Sequence, residues 1–154
     1  MAEEQPKTRF GIQRLFTRNT SFESPNAPQI FREQWKPKIK VDLNTKSSKL
    51  ADDAYEVVIR VTVTAKLEEQ TAFLAEVEQG CIATIVGFEE QQLEQMLGAY
   101  VPSLLFPYAR ETVDSMVVKG SFPPVMLAPV NFDALHKQRQ EQQQAADSDS
   151  ETAH

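Results

Sequence analysis

The side chains of this 154-residue sequence that could do acid–base, nucleophilic or metal chemistry are few and poorly placed for it. Histidine titrates nearest neutral pH and is the commonest metal ligand, yet it occurs only at His136 and His154, in a polar C-terminal stretch where no preorganised site is expected. Cys81 lies in an alternating apolar segment with no histidine close in sequence, which predicts a small buried hydrophobe in place of a nucleophile. Glu68, Glu69, Glu76, Glu78, Glu89, Glu90 and Glu94 could pair for general acid–base work, but acids in such runs are expected on solvated faces. No glycine-rich phosphate loop, serine elbow or metal-ligand spacing occurs. The expectation is a binding protein with no catalytic residue, metal or cofactor.

Charge and composition narrow what is bound. A formal net charge of −6 and a pI near 5.0 argue against nucleic acid, whose phosphates need a basic face. One cysteine cannot form an intramolecular disulfide, which fits a reducing cytoplasm. The first twenty residues break any apolar stretch with Lys7, Arg9, Arg14 and Arg18, and no run reaches transmembrane length. The sequence therefore predicts a cytoplasmic protein that does not insert into membranes.

The elements that must position any binding surface begin with the strongest periodicity. Tyr55, Val57, Ile59, Val61, Val63, Ala65 and Leu67 share one side of a strand, with Glu56, Val58, Arg60, Thr62, Thr64 and Lys66 on the other. Ile39, Val41 and Leu43 alternate the same way ahead of it. After Glu68-Glu69-Gln70, a hairpin return carries Phe73, Ala75 and Val77 opposite Leu74, Glu76 and Glu78, with Gly80 expected to bulge or bend it before Ile82–Val86. Phe10, Ile12 and Phe16 supply a weaker first strand interrupted by Arg14. Between the first two strands, Ser21 to Pro28 reads as irregular, and Phe22, Ile30, Phe31 and Trp35 make this crossover unusually apolar. Two readings fit those four side chains: a plug for the end of the core, or a binding surface.

After Gly87 the period becomes helical, with Leu93, Met96, Leu97 and Tyr100 on one stripe and Gly98 weakening its end. A second helix starts at Pro102, with Pro107 kinking it or marking its regular beginning, and runs through Ala109, Val113, Met116 and Val117 to Gly120. Asn131 can cap a last helix anchored by Phe132 and Leu135. The tail beyond is polar enough to predict disorder. The chain thus divides into a flexible N-terminus (1–9), one domain (10–140) and a disordered polar tail (141–154). Strands followed by helices predict an α+β fold: a four-stranded antiparallel sheet with helices on one face.

Four separated motifs then resemble SecB, the bacterial protein-export chaperone: Ser21 to Pro28, Tyr55 to Ala65, Leu105 to Glu111, and Leu127 to Leu135. The resemblance runs in order from about Phe10 to Leu135. It implies a homotetramer, a dimer of dimers, that holds unfolded precursor proteins without nucleotide and passes them to the SecA ATPase. It implies a client groove at Phe22, Ile30, Phe31, Trp35, Ile39, Val41 and Leu43, and a SecA-facing surface at Glu23, Leu74 and Glu76. Asn19 stands where many relatives carry an aspartate. Ala75, Val77 and Gln79 match positions associated with tetramer integrity, and the helix carrying Val113 and Met116 resembles the one buried between dimers. His136, Lys137 and Arg139 replace a more apolar run in the last helix. Competing readings are a SecB-like chaperone dedicated to one partner such as a toxin–antitoxin system, a small-molecule enzyme using the acids, and a purely structural oligomer.

Overall fold

The computed structural model describes residues 7–152. Its centre is the strand with the clearest alternation, Ala54–Leu67 (β3), in which Val57, Ile59, Val61, Val63 and Ala65 are fully buried while Arg60 and Lys66 reach water. It pairs antiparallel with Lys38–Ala51 (β2) on one side and Gln70–Val86 (β4) on the other, and Arg9–Glu23 (β1) pairs antiparallel with β4. The order β1-β4-β3-β2 leaves β1 and β2 as edges. Glu68 takes the positive φ of 55° that the two-residue β3–β4 turn requires.

Several elements depart from the sequence expectation. The N-terminal stretch expected to be flexible falls mostly on residues 1–6, outside the described residues, and Arg9 already opens β1. Arg14 does not interrupt β1. Register shifts at Ile12/Arg14 and Thr17/Asn19 absorb the extra residues, so Ile12, Leu15, Thr20 and Phe22 still pair with inner-face residues of β4. Ser21, Phe22 and Glu23 belong to this strand and not to the crossover. Gly80 does not bulge: β4 is continuous, and Phe16 lies over the glycine, where an added Cβ would come within 2.7 Å of the ring. The missing side chain is space for that cross-strand ring.

The helices form on one face. Glu90–Gln95 (α1) opens on a capping box between Glu89 and Gln92. It runs without a break through a π-helical turn, Met96–Tyr100, into Val101–Lys119 (α2). The two helices expected on either side of Gly98 and Pro102 are therefore continuous, because the wider π turn just ahead of Pro102 accommodates the missing N–H and the ring. Leu105, Ala109, Val113 and Val117 recur at helical spacing and are buried on β3 and β4, while Pro107 sits inside α2 with its ring exposed. Gly120 ends α2 as expected. The connector that follows is tied back by Asp114, whose Oδ1 accepts the Val125 N–H at 2.8 Å and the Met126 N–H at 3.2 Å.

Asn131 caps the last helix as expected, its Oδ1 accepting the Ala134 N–H at 3.0 Å. That helix, Phe132–Thr152 (α3), corrects the expectation of a disordered tail from residue 141. Gln, Glu and Ala are good helix formers, and no proline or glycine interrupts the segment, so propensity sustains the helix although its outer turns are exposed.

Candidate functional site

Strand register brings the apolar crossover and β2 onto one surface. On the helix-facing side of the sheet, Ile39, Ala65 and Phe73 form one cross-strand row, and Val41, Val63, Ala75 and Phe22 the next. The chain leaves β1 through a turn held to β4, where the Ser24 hydroxyl donates to the Ala72 carbonyl (2.9 Å) and the Asn26 amide to the Thr71 carbonyl (2.9 Å). A 3-10 turn, Gln29–Arg32, then lays the crossover over the first row.

The result is a cluster of five rings. Phe73 lies 5.9 Å from Phe22, 6.4 Å from Trp35 and 5.2 Å from Phe122, and Phe122 lies 5.2 Å from Phe31. Ring centroids at these separations give favourable packing beyond area burial. The crossover residues divide by burial. Ile30 is only 2% exposed and plugs the core, which corrects its assignment to an open groove lining. Phe22 is half-buried, pressed where a side chain at Gly120 would stand, and Trp35 is half-buried over Phe73. Phe31 is 47% exposed, and Ile39 and Val41 are 40% and 44% exposed, with Leu43 half-buried beside them. These last residues offer a continuous apolar ledge from the rings along β2.

Two members of this cluster escaped the sequence reading. Phe73 was legible only as a strand residue, though it shares a face with Ala75 and sits one row from Phe22. Phe122 was read as part of an extended connector before Pro123-Pro124. Its role depends on α2 ending at Gly120, which brings the connector back over the rings.

The opposite face carries a different constellation. Glu23 and Leu74 are cross-strand neighbours, and Glu76 is the next residue of β4 on that face, opposite Ser21. Glu76 is engaged: its Oε1 accepts the Thr62 hydroxyl at 3.1 Å and lies 3.7 Å from Arg60 Nε. Asn19 pairs with Glu78, which lies 3.8 Å from Arg18 Nε. The sequence therefore brings Glu23, Leu74 and Glu76 together as an acidic patch with a half-buried leucine.

The residues matched to assembly behave differently from one another. Ala75, Val77 and Val113 have no exposed surface and Gln79 has 4%, all taken up within a single chain. They cannot touch another chain in this arrangement, so any effect on assembly would act through the helix–sheet stack. Met116 is half-buried. The outward stripe of α2 includes Leu104, Tyr108, Glu111, Ser115 and Val118, with Tyr108 and Val118 each about half exposed.

Cys81 is buried as expected. Desolvation pushes its thiol up to about 11, with the Glu56 charge adding to the rise against a backbone hydrogen bond from Val57, so it is protonated at neutral pH. His154 lies outside the described residues. The ring of His136 stands against Gly98 in the π turn, and its Nε2 is buried without a partner. Among the described residues no group of three His, Cys, Asp or Glu side chains could hold a metal, and no helix is long and apolar enough to cross a membrane.

Residues 3–143 match the family model described as preprotein translocase subunit SecB. The chain is 50% identical to the protein-export protein SecB of Marinobacter nauticus, over 99% of this chain and 94% of the relative. Among solved structures, it resembles a Mycobacterium tuberculosis SecB-like chaperone in complex with a ChAD peptide from the HigA1 antitoxin. The TM-score is 0.65 at 18% identity, covering 79% of this chain and 91% of that one. At that identity the likeness shows a shared fold.

Proposed function

The chain belongs to the SecB family, and from that premise we propose that it is an ATP-independent cytoplasmic holdase for unfolded precursor proteins and delivers them to the SecA ATPase. The observation that carries this reading is the apolar ledge running from Phe31 and the aromatic cluster along Ile39 and Val41, open at the free edge of β2. An unfolded segment can lay apolar side chains on the ledge and pair its backbone with the unpaired edge. Backbone pairing is blind to sequence, and the shallow apolar surface tolerates many side chains. Binding the unfolded state in preference to the folded one suppresses folding by mass action, without nucleotide hydrolysis.

Glu23, Leu74 and Glu76 suit the SecA contact, because they lie on the other side of the sheet. A chaperone loaded on one face then keeps its delivery face free. The outward α2 stripe with Tyr108 and Val118 suits burial between two dimers in a homotetramer, since exposed apolar residues in a line on a helix call for a partner.

The purified protein is expected to delay refolding of a secretory precursor in the absence of ATP. The charge reversals Glu23→Lys and Glu76→Lys are expected to abolish SecA binding in a pull-down while leaving that delay intact. Unchanged precursor refolding at a molar excess of chaperone would overturn the holdase reading. Client profiling separates a general export chaperone, with many precursors captured, from one dedicated to a single partner.

A further inference from the structure

The two carboxylates of the acidic patch stand in different surroundings. Glu23 is exposed and, among the described residues, makes no ion pair, whereas Glu76 is half-buried and meets two side chains of β3. The Thr62 hydroxyl, directly across the strand pair, donates to Glu76 Oε1 at 3.1 Å. Arg60 Nε lies 3.7 Å from the same oxygen, too far for a hydrogen bond, and both side chains of this pair face water, at 47% and 32% exposure. Thr62 therefore gives the carboxylate a direction, and Arg60 gives it a neutralising charge without one. Neither contact uses Oε2.

Register alone does not send Arg60 to Glu76, because its direct cross-strand partner on β4 is Glu78. That acid lies 3.8 Å from Arg18 Nε, and Arg18 Nη1 reaches Glu56 at 3.5 Å. Arg18 is the residue left out of register between Thr17 and Asn19, where the irregularity in β1 aims it across β4 to β3. With Glu78 shared by Arg18, Arg60 leans to Glu76.

We propose that Thr62 and Arg60 set the strength of the Glu76 contact with SecA in opposite directions: Thr62 holds the carboxylate toward an incoming cation, and Arg60 competes with that cation. The inference rests on the delivery reading and adds two residues to its docking face. An acidic patch fits a basic partner segment, whose lysine or arginine would take the place of Arg60. Exposed ion pairs are weak, so the exchange is easy in both directions and the contact stays reversible.

The test titrates the full chain with purified SecA by calorimetry at low salt. Arg60→Gln is expected to tighten binding about threefold, and Arg60→Lys, which keeps the charge, to stay near wild type. Thr62→Val is expected to weaken binding about threefold, with Thr62→Ser, which keeps the hydroxyl, restoring it. Lys66→Gln controls for net charge: it removes a cation from the same face, about 13 Å along β3 from Thr62, and at low salt a general field effect would reach that far. Its affinity should stay near wild type, and urea midpoints confirm that each variant folds. Arg60→Gln without tightening, Lys66→Gln tightening as much, or Thr62→Val binding like wild type overturns the proposal and leaves the delivery reading standing. A wild-type protein that does not bind SecA overturns both.

Discussion

Strands β2 and β4 flank the same central strand, carry the same alternation, and contribute to the same cross-strand rows, yet Phe73, Ala75 and Val77 have no exposed surface while Ile39 and Val41 are nearly half exposed. The difference is the helix. Leu105, Ala109, Val113 and Val117 of α2 bury β3 and β4, and β2 projects beyond that cover. A period-two pattern states which face of a strand is apolar; it does not state what lies over that face. An uncovered apolar face is a candidate surface for a partner.

The largest expected effect comes from placing the same substitution on the two strands. Val77→Asp puts a carboxylate beneath α2 without a partner, and the cost of more than about 4 kcal/mol is a large part of a typical domain's stability. Val41→Asp changes a half-exposed position and is expected to move stability by no more than about 0.5 kcal/mol. Its effect should appear in precursor binding, weakened about tenfold as a charge enters the apolar ledge. Urea melts and precursor anisotropy measured on both variants check the pair. Equal stability losses would show that β2 is as covered as β4, which removes the ledge.

An intermediate effect is expected where α3 approaches the end of the ledge. Arg139 donates to the Leu43 carbonyl at 3.3 Å, and His136 packs against Gly98, leaving no room for a Cβ. Gly98→Ala should push α3 away, at about 1–3 kcal/mol if the packing cannot relax. His136→Ala in the same chain should restore most of that stability, because it removes the clashing ring. Amide exchange should rise in α3 of Gly98→Ala and return in the double variant. Exchange unchanged in α3 would show that the helix is not held by this contact.

Legibility followed the same division between pattern and cover. The alternation of β3 and of the β4 residues before Gly80 was plain in sequence because apolar residues hold every second position while, Val58 and Leu74 apart, polar residues fill most of the others, and the acidic patch at Glu23, Leu74 and Glu76 followed once the motifs aligned. The length of β2 was not, since Lys46, Ser47, Ser48 and Lys49 carry no strand signal and are held by pairing to β3. Nor was the ordering of the last helix, where composition suggested disorder while helix propensity favoured order. Ile30 and Phe31 are adjacent apolar residues with opposite burial, and only the 3-10 turn that carries them tells plug from ledge. Phe122 joined the rings through a chain reversal at Gly120, a relation no local pattern contains.

The smallest effect tests the covered region with a proton instead of a side chain. Burial raises the Cys81 thiol from its ordinary 9.0 to about 11, so the unfolded chain loses this proton at lower pH than the folded one. The contribution is complete below pH 9 and is lost as pH rises toward 11, amounting to about 1 kcal/mol at pH 10. Lysines and tyrosines titrate in the same window, so the informative quantity is a difference: the urea midpoint of the wild-type protein should fall more steeply between pH 8.5 and pH 10 than that of Cys81→Ala. Parallel curves would mean that water reaches the thiol beneath the sheet, and the contrast between a sealed β4 and an open β2 would lose its sharpest edge.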